Sequence, residues 1–166
     1  DGLVLSVDVA VSAHSVLAAV VSVTTEGPAS VQVVFSSTST PEQRTLPGPL
    51  GSDHQVLVVG LREATTYTLR VEATPEGDGG VESWEPVTHI TGAIPYAVPD
   101  FQVEVLDLDG ASPGITLFGV NKAGGAVIDE MPLYWGVDRD GEVVWYWQDP
   151  TAQHDHNDRD LKVLDD

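Results

Sequence analysis

The heptapeptide His154-Asp155-His156-Asn157-Asp158-Arg159-Asp160 concentrates two imidazoles and three carboxylates in seven residues. On a strand, His-x-His projects both rings from one face. Together with a carboxylate such as Asp158, His154 and His156 could hold Zn²⁺ or a related divalent ion. No further ligand pair is spaced to close that site, so the segment reads first as a solvated polar loop, with no metal and no cofactor expected. Asp107-x-Asp109-Gly110 and Asp138-x-Asp140-Gly141 resemble fragments of calcium loops. Both lack the remaining oxygen ligands and the closing bidentate glutamate, and aspartate before glycine is first of all turn chemistry. His14, His54 and His89 each stand alone. A lone histidine in a strand or loop is ordinarily structural or exposed, so no catalytic residue is assigned.

The elements that would position these groups are strands. The 166 residues are 42% hydrophobic, enough for one large domain or two small ones with a buried core. Charge is the exception to an ordinary composition: 26 acidic against 7 basic side chains give a formal net charge of −19. That balance argues against nucleic acid or an anionic membrane as partner; solubility, or adaptation to a salty medium, explains it without a cation site. There are no cysteines, hence no disulfide framework. No run approaches the roughly 18 apolar residues of a membrane span. No signal peptide is visible at Asp1, so export would require a targeting segment already removed.

The strongest local signal is Met131–Trp147. Leu133, Trp135 and Val137 alternate before Asp140-Gly141, and Val143, Trp145 and Trp147 alternate after it. This is the pattern of a hairpin closed by a type I′ turn, with positive φ expected at both turn residues. Val144 and Tyr146 make the opposite face of the second strand apolar too, so cover is expected on both sides. A propeller blade between neighbouring blades, or a central sandwich strand, meets that demand.

Upstream, residues 3–35 read as three β-branched strands separated by Ser/His and by Glu26-Gly27-Pro28. Residues 36–52, with three prolines and two glycines, read as a loop. A short strand follows at Gln55–Val59. Then Tyr67, Leu69, Val71 and Ala73 alternate against Thr68, Arg70 and Glu72, the pattern of a half-buried strand. The spacing of Leu61, Thr65 and Tyr67 resembles the corner of a fibronectin type III or immunoglobulin-like sandwich, where a tyrosine hydroxyl bonds back to nearby backbone. A last strand near Ser83–Ile90 completes a sandwich over residues 1–92. Residues 93–99, rich in proline, form a linker.

Residues 100–166 carry 15 acidic and 4 basic side chains, against 11 and 3 in residues 1–99. They read as a strand at 101–108, a turn, Ile115–Val120, a second turn, and the hairpin: four strands in series, one propeller blade. The succession T-G-A-I-P-Y-A-V-P-D-F, S-P-G-I-T-L-F, L-Y-W-G-V-D-R-D-G-E-V-V-W-Y-W and D-L-K-V-L-D-D resembles the start of bacterial arylsulfate sulfotransferases and their arylsulfotransferase-like relatives. The resemblance covers essentially the whole chain. It implies an all-β chain, an immunoglobulin/fibronectin III-like sandwich followed by the first blade of an incomplete propeller, in a secreted, periplasmic or cell-surface protein.

The resemblance further implies sulfuryl transfer from a phenolic sulfate to a phenol through a transiently sulfated histidine. That histidine would lie beyond this chain, leaving the portion here as a non-catalytic scaffold. The partners implied are the remaining blades or other subunits covering Val143–Trp147 and Leu161–Leu164, with homo-oligomers open. The alternative is a structural, assembly or adhesion protein of the cell surface that uses sandwich and blade edges for subunit contacts. A carbohydrate- or cation-binding module resting on Trp84, Trp135, Trp145 and Trp147 is a third reading, though tryptophans in strands more often serve a core.

Overall fold

The computed structural model describes residues 2–77, 79–96, 98, 110, 114–119 and 134–147. The chain is all-β: ten strands and no helix among the described residues. It divides into two compact units, Asp1–Ala93 and Ile94–Asp166.

The first unit is organised by one strand. β1 (Val4–Val11) leads to β2 (Ala19–Ser36), an 18-residue strand followed by β3 (Gln43–Arg44), β4 (Gly51–Val58), β5 (Thr66–Pro75), β6 (Glu82–Ser83) and β7 (Val87–Ile90). The first half of β2 pairs antiparallel with β1 and β4, and its second half with β5 and β3. β6 and β7 then pair with β5 at different points along its length.

The break expected at Glu26-Gly27-Pro28 is therefore a bend inside a continuous strand, and two strands stand where three were expected. The pairing to β4 slips between Thr24 and Ala29, and the bent backbone finds partners on both sides. Glu26 N–H donates to the Leu3 carbonyl at 2.8 Å, and Glu76 N–H donates to the Pro28 carbonyl at 3.0 Å. The buried Thr25 hydroxyl donates to the Gly27 carbonyl at 2.8 Å. Proline costs the ladder one donor, but its carbonyl still bonds.

Parity survives the bend. Ala19, Val21, Val23, Ala29, Val31, Val33 and Phe35 are all buried and join Val58, Leu61, Tyr67, Leu69, Val71 and Ala73 in one core. Each large side chain sequestered there contributes on the order of 1.5–3 kcal/mol. The 36–52 segment is not wholly irregular. β3 lies within it, Thr45 and Gly48 continue to bond Val33 and Val31 carbonyls, and β4 starts at Gly51, four residues before the expected Gln55. Pro47 and Pro49 interrupt the edge without detaching it. The strand expected near Ser83–Ile90 is likewise split into β6 and β7, with Trp84-Glu85-Pro86 between them.

The second unit shows β8 (Thr116–Gly119), β9 (Tyr134–Val137) and β10 (Val143–Trp147) as an antiparallel sheet in the order β10-β9-β8. The strand expected at 101–108 and the one expected to begin at Leu161 lie outside the described residues. The hairpin is present, but its turn is not type I′. Gly141 has φ 84°, whereas Asp140 does not take positive φ. Gly141 N–H donates to the Asp138 carbonyl at 3.1 Å and Asp138 N–H to the Glu142 carbonyl at 2.9 Å. This is a type I turn followed by a left-handed glycine. Three loop residues serve where two were expected, because the Asp138 carboxylate stabilises the longer loop.

Candidate functional site

The second unit gathers the aromatic residues. Cross-strand partners share a face, and the register places Phe118, Trp135 and Tyr146 in one row. Trp135 is fully buried and Tyr146 nearly so. Their ring centroids lie 6.2 Å apart, and Tyr96 meets Tyr146 edge-on at 5.5 Å. The rows on the opposite face hold Leu117, Gly136 and Trp145, then Gly119, Tyr134 and Trp147. Tyr134 and Trp147 rings are 5.7 Å apart, and Trp147 is 41% exposed. A side chain at Gly136 would place its Cβ 2.9 Å from Ile115 Cγ2 and 3.0 Å from Leu117 Cδ2. Glycine is required there so that the apolar side chains can close over the strand.

A register shift between Val143 and Trp145 sets two residues of β10 against one of β9. Val143 and Val144, adjacent in sequence, are consequently both buried within the chain itself. The expectation that outside protein must cover all of Val143–Trp147 is corrected on this point. The apolar surface left open beside these strands is that of Ile115, Leu117 and Trp147, with Tyr134 and Trp145 half-buried beside them.

None of the sequence candidates assembles a reactive centre among the described residues. His154, His156 and Asp158, like Asp107 and Asp109, lie outside those residues. Asp138 does turn work: its Oδ1 accepts from Asp140 N–H and Glu142 N–H, each at 3.0 Å. The lone histidines fall on three elements. His14 is exposed between β1 and β2, and His54 on β4 places Nε2 2.9 Å from the Gly51 carbonyl. His89 on β7 is 7% exposed, and its Nε2 has no hydrogen-bond partner. Burial pushes its pKa below the ordinary histidine value.

A polar cluster not evident from the sequence lies on the outer face of the first unit. Arg44 and Arg70 both sit opposite Val34 in register and leave it 3% exposed. Glu72 accepts from Gln32 Nε2 at 2.8 Å, Arg44 Nη1 at 2.8 Å and Arg70 Nη2 at 3.0 Å. The Gln32 amide and the two guanidiniums hold the Glu72 carboxyl below the usual carboxylate range against the opposing effect of burial. Alternation of Arg70 and Glu72 on the solvent face was the available signal; the return of Arg44 through β3 was not readable locally. These cations are matched by Glu72 and Glu42. The cluster braces the sheet and has no unbalanced charge to offer a ligand.

Comparison of the chain with protein-family models, with curated proteins and with solved structures finds no match. The described geometry is that of packing surfaces, and the open aromatic face is its foremost candidate for binding.

Proposed function

We propose that this chain is the non-catalytic N-terminal scaffold of a secreted arylsulfotransferase-like protein. In this reading the first unit is an immunoglobulin/fibronectin III-like sandwich and the second belongs to the first blade of a propeller. Sulfuryl transfer from a phenolic sulfate to a phenol is then the work of a histidine outside residues 1–166. The observation that carries the reading is the meander β8-β9-β10. It buries an aromatic row on one face and leaves Leu117 and Trp147 open on the other, as suits a blade whose second face meets a neighbour. The sandwich is supported by the way β2 serves two sets of partner strands, and by the Tyr67 hydroxyl accepting from Arg62 N–H at 2.9 Å.

The test compares the chain 1–166 with the complete polypeptide encoded by its gene, each supplied with a phenolic sulfate and a phenol acceptor. Transfer by the complete polypeptide and none by 1–166 is expected. Turnover by 1–166 itself, or no turnover by the complete polypeptide, overturns the reading; the second outcome leaves an assembly or adhesion protein in its place.

A further inference from the structure

We infer that His89 is a proton-operated latch on the last strand of the first unit, closing β7 onto β5 at neutral pH and releasing it in mild acid. β7 is four residues long and pairs with β5 through Thr66↔Ile90, Tyr67↔His89, Thr68↔Thr88 and Leu69↔Val87. Its outward residues Thr88 and Ile90 are exposed, so His89 and the half-buried Val87 supply its apolar anchorage. His89 is more than nine-tenths buried, yet its Nε2 meets no acceptor.

The titratable side chain across from His89 on β5 is Tyr67, whose hydroxyl accepts from Arg62 N–H and lies 3.4 Å from Thr40 Oγ1. Arg70 and Glu72 alternate to the other face of β5 and are paired there. In the turn before β5, Glu63 is exposed and Arg62 half-buried. His89 forms no ion pair with any carboxylate among the described residues. An imidazolium at this position would therefore be desolvated without compensation.

Opening β7 costs one short edge ladder and gives the ring water, whereas unfolding the β2 core would cost far more. The sign is fixed by linkage. The closed state keeps His89 neutral, while the opened strand binds a proton with an ordinary value near 6.5. Below that pH the opening equilibrium rises by up to about tenfold per unit, and above it opening is independent of His89.

The experiment is hydrogen exchange on the whole chain between pH 7.5 and 5, read as protection factors corrected for intrinsic exchange, beside NMR titration of the His89 ring. Amides at the β5–β7 pairing should lose protection by up to about tenfold per pH unit below 6.5, while amides on β2 from Val31 to Phe35 hold theirs. His89→Gln should remove this pH dependence, and His54→Gln should leave it intact. If His89→Gln does not fold, the ring titration of the unaltered chain decides alone: a closed-state pKa at or above 6.5 overturns the proposal. Constant protection at β7, or an equal loss on β2, overturns it as well.

Discussion

In β2 the residues that enter the core keep one parity through a bend, from Ala19, Val21 and Val23 to Ala29, Val31, Val33 and Phe35; in β10 the consecutive residues Val143 and Val144 are both buried. The long strand can bend without changing faces because the backbone at its bend finds partners in Leu3 and Glu76, which flank β1 and β5. The core-facing valines then keep one parity along the 18-residue strand, and on its outer face Val34 is buried under Arg44 and Arg70. The short strand gives up its alternation at a bulge, where two adjacent residues are both buried. One-sided burial is completed by a sheet that curls over its own core. In the second unit the buried face is built on the rings of Trp135 and Tyr146.

The sharpest way to break this contrast is Trp135→Ala. Trp135 is fully buried in the middle strand of its three-stranded sheet, and removal of such a side chain costs about 3–5 kcal/mol. Hydrogen exchange should report loss of protection across residues 134–147, with β2 and β5 unchanged. If protection on β2 falls equally, the two units do not hold separate cores and the comparison fails.

Tyr67→Phe tests the other side. The ring is fully buried against Phe35, with centroids 6.4 Å apart, and the variant keeps that packing. It leaves Arg62 N–H without its acceptor, for an expected loss of about 1–2 kcal/mol in chemical denaturation. A neutral result would mean that water replaces the hydroxyl and that the corner is not a fixed point of the first unit.

Legibility in the sequence followed how local the causes are. Tyr67, Leu69, Val71 and Ala73 declare an inward face by alternation alone, and Leu61, Thr65 and Tyr67 announce the corner through spacing. Glu26-Gly27-Pro28 misleads because glycine and proline ordinarily punctuate strands. Their continuation depends on Leu3 and Glu76, which are distant in sequence and close only after folding. The turn at Asp138–Gly141 misleads for a subtler reason: Asp-Gly suits a two-residue turn, but Asp138 offers its carboxylate to two backbone donors and draws the loop out by one residue. His89 shows the same limit at the candidate latch. Four residues of strand do not reveal which parity faces inward, and the burial of the ring is set by β5. The His154, His156 and Asp158 group is readable only as chemistry, since its residues fall outside those described.

The smallest effect expected comes from Ala64, and it should stabilise. Ala64 has φ 46°, the one described non-glycine residue in the left-handed region, between Leu61 and the start of β5. An L-residue pays roughly 1–2 kcal/mol for that conformation. Its methyl group is exposed, so glycine there forfeits no core contact. The bond from Ala64 N–H to the Gly92 carbonyl, 3.2 Å, belongs to the backbone and is retained. Against the relief of strain stands the greater freedom of glycine in the unfolded chain, about 0.5–1 kcal/mol. The net expectation for Ala64→Gly is a gain of about 0.5 kcal/mol, seen as a higher denaturation midpoint for the first unit and no change in protection at residues 134–147. A loss of stability would show that the turn before β5 is held by its neighbours without strain. The corner would then owe its shape to Tyr67 and Thr91, whose Oγ1 accepts from Thr65 N–H at 2.9 Å and lies 2.6 Å from the Arg62 carbonyl.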